Sequence, residues 1–135
     1  VSILKLHPGI TEQVVEHILC GTESRAVIIE TYGAGNAPSK EWFISLINKA
    51  LAAGKIILNV TQCLAGSVNM DIYATGKCLK AAGVVSGYDS TPECAITKLM
   101  FLLGQGLSAE EIRVKMDSDI AGEITKPVSE ETAHQ

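Results

Sequence analysis

No apolar run in this sequence approaches the roughly 20 residues that a membrane-crossing helix needs, so a soluble domain is expected. Basic residues are few and scattered: 11 Lys and Arg stand against 15 Asp and Glu, for a net charge of −4. Without a basic face, nucleic acid and acidic membrane surfaces are poor partners. The four cysteines, Cys20, Cys63, Cys78 and Cys94, form no C-x-x-C pair. His7, His17 and His134 do not stand beside them at zinc-ligand spacing, so nothing calls for a metal. Reduced and mostly buried thiols, as in a cytosolic protein, are the expectation. Internal repeats and low-complexity segments are also missing. No Met precedes Val1, and no basic-then-apolar leader opens the chain, which reads as a trimmed form or a piece of a longer protein.

What is present is an ordinary globular composition, 47% apolar and 19% charged, in 135 residues that fit one domain. Short Val, Ile and Leu runs recur at 2–6, 25–30, 55–60 and 82–86, as strands covered on both faces should. Helical patterns lie between them. Thr11 can cap a helix with Val14, Val15, Ile18 and Leu19 on its apolar face and Gly21 as its stop. A second helix is expected to open near Pro38, with Phe43, Leu46, Ile47, Ala50 and Leu51 facing inward and Gly54 at its end. A weaker one runs from Tyr73 to Ala82 and closes at Gly83. Thr91-Pro92 reads as a cap and first-turn proline before a stripe of Ile96, Leu99, Met100 and Leu103. Ser108 and Glu111 make a capping box, with Leu107 and Ile112 at the spacing of a hydrophobic staple. The alternation predicts an α/β fold: a small open parallel sheet of about four strands with helices on both faces. A polar, flexible tail is expected over 123–135.

In such sheets the ligand crevice lies beyond the carboxyl ends of the strands. The loops to read are therefore His7-Pro8-Gly9, Thr31 to Ala37, Thr61 to Asp71 and Gly87 to Ser90. GAGNAP fails the dinucleotide fingerprint, because Pro38 stands where a third glycine belongs, and no Gly-Lys-Ser/Thr of a phosphate loop follows. What remains there is Asn36. Its amide can grip a carboxylate or amide of a small ligand, or it can cap a helix beginning at Ala37-Pro38. The longest polar connection, TQCLAGSVNMDIYATG from Thr61 to Gly76, has the look of a functional loop. Cys63 within it has no neighbouring histidine to activate it, and reads as a semi-buried wall of a ligand pocket. Asp71 and Asp89 are more simply turn or cap residues than a carboxylate pair. His7 reads as a hydrogen-bonded loop histidine. No Ser-His-Asp order, metal cluster or cofactor motif emerges, and no catalytic residue is assigned.

YGAGNAP after one strand and NVTQCLAGSVNMDIYATG after the next resemble the type I L-asparaginases. The likeness runs from LHPGI at Leu6 to Ile10, through TPECAITKLMFLL at Thr91 to Leu103, to AGEIT at Ala121 to Thr125. That resemblance implies the smaller C-terminal domain, residues 1–122, of a two-domain cytoplasmic subunit that hydrolyses L-asparagine to L-aspartate and ammonia. The nucleophilic threonines belong to the larger N-terminal domain, whose motifs this sequence does not contain, so this domain is expected to be inactive alone. It also implies a homodimer or tetramer without cofactor, in which Asn36 reaches the amino-acid head group, through its α-amino end, in the neighbouring subunit. Cys63 would correspond to a residue of an allosteric asparagine site. The position two before Tyr32, an arginine in regulated members, is Glu30 here, which inverts the charge offered to a carboxylate and argues against that control. A free-standing amino-acid-binding module and a purely structural dimerisation domain are the competing readings.

Overall fold

The computed structural model of the protein describes residues 1–126. Nine elements follow in order: β1 (Ser2–Lys5), α1 (Glu12–Cys20), β2 (Ala26–Thr31), α2 (Glu41–Ala52), β3 (Ile56–Thr61), α3 (Ala74–Ala82), β4 (Val85–Ser86), α4 (Pro92–Gly104) and α5 (Ala109–Met116). The strands form one open sheet in the order β1-β2-β3-β4, and every pairing is parallel. This is the α/β architecture expected from the alternation of apolar runs and helical stripes.

Because the strand order never reverses, each right-handed crossover places its helix on the same side. α1, α2 and α3 accordingly share one face, where Val15, Leu19, Phe43, Ile47 and Leu79 pack on Leu4, Val27, Ile29 and Ile57. The other face is covered only after the sheet is complete. There α4 and α5 lay Ala95, Leu99, Leu102, Ile112 and Met116 against Ala26, Ile28, Ile56, Leu58 and Val60. Val27 and Ile28 thus point to opposite cores, the period-2 alternation of a strand buried on both sides. Each fully buried aliphatic side chain contributes about 1.5–3 kcal/mol.

Local signals behave as their chemistry dictates. Thr11 and Thr91 accept from the backbone N–H groups of Val14 and Cys94, and Gly83 closes α3 in the left-handed region. Both halves of the Ser108–Glu111 capping box are formed, and the Ser108 N–H first among them holds the Glu111 carboxyl below its usual range. Three expectations are corrected. α2 opens at Glu41, three residues past Pro38, with the extended Lys40 as its unbonded cap, because a proline disfavours helical backbone in the residue before it. The buried stripe of α4 is Ala95, Leu99 and Leu102, which leaves Met100 and Phe101 about 60% exposed. Apolar side chains surround α4, so its sequence does not name the inner face.

The third correction concerns the end of the chain. Residues 123–126, read as the start of a flexible tail, dock on the domain: Ile124 is buried, the Thr125 N–H donates to Asp89, and Glu123 pairs with Lys98. Residues 127–135 lie outside the described residues. Among the described residues no helix is long and apolar enough to cross a membrane.

Candidate functional site

The polar residues singled out above gather at the carboxyl ends of β2 and β3, and backbone and side-chain hydrogen bonds fix them there. Residues 32–36 make a closed turn: the Tyr32 and Asn36 N–H groups each donate to the other's carbonyl at 2.8 Å. The loop after β3 secures this turn from below, since the Asn69 N–H donates to the Ala34 carbonyl and the Thr61 hydroxyl to that of Gly33. Gly35 is required on two counts. Its φ is +110°, and a Cβ there would lie 2.9 Å from Val68 Cγ1.

Under the turn sits a buried polar pair. The Thr31 hydroxyl is 2.6 Å from Asn59 Oδ1, while Asn59 Nδ2 has no partner among the described residues. Gln62 clamps the strand ends together, donating from Nε2 to the carbonyls of Leu6 and Glu30 at 2.6 and 2.8 Å. Glu30, Gln62 and Cys63 therefore stand at one end of the sheet. The semi-buried wall expected of Cys63 is not found, because the residue is exposed and only its N–H is engaged, by the Thr61 hydroxyl. Cys78 is exposed as well, and Cys20 and Cys94 are half-buried, so the thiols are free but not mostly buried. Their exposure follows from the β3–α3 loop and the outer faces of α3 and α4, which the sequence alone does not orient.

Asn36 does not cap a helix. Its Oδ1 accepts from the Ala37 N–H at 3.0 Å and from the Thr75 hydroxyl at 2.6 Å. Both lone pairs of the oxygen are thereby used, and Nδ2 is left without a partner among the described residues. Asn36 is half-buried on the rim formed by its own turn and the β3–α3 loop, and that loop displays Leu64, Ile72 and Tyr73 to solvent. A ligand ammonium could reach Oδ1 only by sharing or displacing one of these two donors. Thr75, which no local pattern marks, is the partner that sequence reasoning missed. It lies 39 residues away, and only the fold brings it close.

The remaining candidates make structural contacts. Asp71 pairs with Lys80 at 2.8 Å, and the hydrogen bond from that pairing raises the lysine pKa. Asp89 accepts from the Thr125 N–H, which holds its carboxyl below the usual range. Each carboxylate is engaged by its own partner, as the turn-residue reading expects, and both line the hollow beside β4. His7 Nδ1 lies 3.0 Å from the Pro8 carbonyl. A hollow of about 720 Å³ runs beside β4, lined by Lys80, Tyr88, Asp117 and Lys126 among others, and Asn36 takes no part in it. With its strand order unreversed, this sheet has no switch-point crevice of its own for the Asn36 rim to enclose.

A family model described as the glutaminase/asparaginase C-terminal domain matches residues 1–116. The chain belongs to that family. Its relatives include L-asparaginase 1 of Escherichia coli, 41% identical over 125 residues, covering 93% of this chain and 37% of that protein. The human 60 kDa lysophospholipase is 40% identical over 132 residues, covering 97% of this chain and 23% of that one. Among solved structures, L-asparaginase I from Vibrio cholerae superposes with a TM-score of 0.87 at 45% identity, over 93% of this chain and 37% of its own. This asparaginase-family domain thus spans little more than a third of the asparaginases it matches, and the likeness drawn from the two loops is borne out. The Asn36 turn and the β3–α3 loop both fall within the matched residues.

Proposed function

We propose that this chain is the C-terminal domain of a cytoplasmic L-asparaginase, an amidohydrolase converting L-asparagine and water to L-aspartate and ammonia. In that enzyme it completes the active site of a neighbouring subunit, forms the dimer interface, and has no activity alone. The observation that carries this reading is the state of Asn36. Its amide is immobilised by two hydrogen bonds yet stands on an open rim, as half of a binding site would before its other half covers it. The domain binds and orients the amino-acid head group, and the remainder of the subunit supplies the nucleophile for the side-chain amide. A protein named for a lysophospholipase carries the same domain, which supports placing the choice of reaction outside it. The apolar residues Leu64, Ile72 and Tyr73 on the rim, and Met100 and Phe101 on α4, support a covering partner. Free thiols throughout suit a reducing compartment.

Ammonia release from L-asparagine is the test. The full-length protein is expected to turn over, and the isolated 135-residue chain is expected to match buffer. Turnover by the isolated chain would refute the division of labour. Tight binding of asparagine to it, read by calorimetry, would instead favour a free-standing regulatory module.

Glu30 and Cys63 stand at the same sheet end as Gln62, but Glu30 offers a negative charge where an asparagine carboxylate would need a positive one. Saturation of the full-length enzyme by L-asparagine is therefore expected to be hyperbolic, with a Hill coefficient of about 1. A sigmoidal curve would show that a second site operates despite Glu30.

A further inference from the structure

The geometry points to Thr75 as the positioning residue for Asn36, a role that rests on the reading of Asn36 as the head-group contact. An asparagine on a surface turn ordinarily has two amide orientations, related by a half-turn about χ2 and nearly equal in energy. Here one of them is selected. The Ala37 N–H can meet only the oxygen of the amide, since the NH₂ group would oppose it with another donor. The Thr75 hydroxyl donates to the same oxygen at 2.6 Å from a second direction, so that position and plane are fixed together.

Thr75 is itself held. It belongs to the first turn of α3, and the next residue, Gly76, is buried with its Cα against the β3–α3 loop. A Cβ at Gly76 would lie 2.7 Å from the Met70 carbonyl oxygen. That loop is in turn bonded to the Asn36 turn through the Asn69 N–H and the Ala34 carbonyl. Asn36 is therefore gripped by its own turn and by the start of a helix 39 residues away, and its Nδ2, a donor, is left to meet an acceptor such as the head-group carboxylate rather than the α-ammonium. Without the hydroxyl, the amide keeps the Ala37 bond but is free to swing about it. Each productive encounter must then order the side chain afresh.

Thr75 touches no substrate in this scheme and acts only through Asn36, which makes the proposal separable from a structural role. The experiment measures steady-state kinetics for L-asparagine in the full-length protein, with Asn36→Ala, Thr75→Val, Thr75→Ala, Thr75→Ser and Asn36→Ala/Thr75→Val, and the thermal midpoint of each. Thr75→Val and Thr75→Ala are expected to lower kcat/KM about tenfold, the scale of one hydrogen bond. The loss should divide between KM and kcat in the same proportion as the larger loss in Asn36→Ala. Thr75→Ser, which keeps the hydroxyl, should return kcat/KM to within about twofold of wild type. The double variant should be no worse than Asn36→Ala, because there is no amide left to position. Thr75→Ala keeps the helix turn with a strong helix former, so a folding defect confined to Thr75→Val does not obscure the result.

If Asn36→Ala loses activity while both hydroxyl-free variants stay within about twofold of wild type, Thr75 is not the positioning residue and the reading of Asn36 stands. Losses that multiply in the double variant would give Thr75 a separate role and overturn the proposal. If Asn36→Ala itself is without effect, the reading of Asn36 fails, and this inference fails with it.

Discussion

Replacing Asn36 with alanine in the full-length protein is expected to lower kcat/KM for L-asparagine about 10- to 100-fold, the range for a hydrogen bond to a charged ligand group. The fold should barely notice. Asn36 is half-buried, its turn is closed by backbone bonds between Tyr32 and Asn36 that alanine retains, and its φ is not in the left-handed region. Of the two donors released, the half-buried Thr75 hydroxyl can be resolvated, whereas the N–H of Ala37, a residue only 6% exposed, loses its partner at a cost of about 1 kcal/mol. A large kinetic effect with only a small fall in the thermal midpoint is thus the expected pattern. Unchanged kinetics would reduce the domain to a structural dimerisation unit.

The second large effect concerns stability. Lys98 of α4 and Glu123 of the following segment meet at 2.5 Å with side chains only 8% and 11% exposed. Lys98 also donates to the Ser118 carbonyl, and Glu123 accepts from the N–H groups of Ile120 and Ala121. The pair therefore ties the chain after α5 to the middle of α4. Burial by itself would raise the Glu123 pKa. The Lys98 hydrogen bond, followed by those two backbone N–H groups, outweighs it and holds the carboxyl well below its ordinary value.

Glu123→Gln leaves the lysine charge buried without its counter-ion, and should destabilise the domain by about 3 kcal/mol or more at neutral pH. The sign of the pH dependence follows from the lowered folded-state pKa. The contribution is complete above the ordinary value of 4.5 and fades as pH falls below it toward the depressed one. Urea unfolding of wild type and variant should therefore show a gap that is constant from neutrality to about pH 5 and narrows in more acid solution. A gap below about 1 kcal/mol at pH 7 would mean that the pair behaves as a surface ion pair. Replacing both residues, Lys98→Met with Glu123→Gln, should recover part of the loss, since no charge is then left unpaired.

Much of this architecture was legible in the residues themselves. Four short aliphatic runs separated by helical stripes require a parallel sheet, and the caps at Thr11, Thr91 and Ser108 lie where their hydrogen bonds are formed. What escaped was set by tertiary placement. α4 is apolar on every side, so only its contacts with Ile28 and Leu58 reveal the inner face. Pro38 suits a helix start as well as an extended approach, and the chain adopts the second. The segment at Glu123 looks like solvated tail because its composition is polar, and only Lys98 from α4 makes its burial favourable.

The candidate site divides in the same way. Asn36 could be named from its loop, whereas its orientation could not, because the oxygen's second partner comes from α3. Cys63 illustrates the opposite case. A small thiol just past a strand end invites burial, yet the loop carries it outward.

The claim on which the rest depends is that Asn36 serves a neighbouring subunit, and mixed dimers test it most directly. Full-length protein carrying Asn36→Ala is combined with full-length protein whose upstream nucleophile has been inactivated, and the two are dissociated and reassembled. In a two-fold dimer with shared sites, each mixed pair holds one intact site, so activity should rise to about a quarter of wild type from two nearly inactive stocks. If the mixture stays as inactive as its components while mixed dimers are shown to form, Asn36 acts within its own subunit and the composite-site account is wrong.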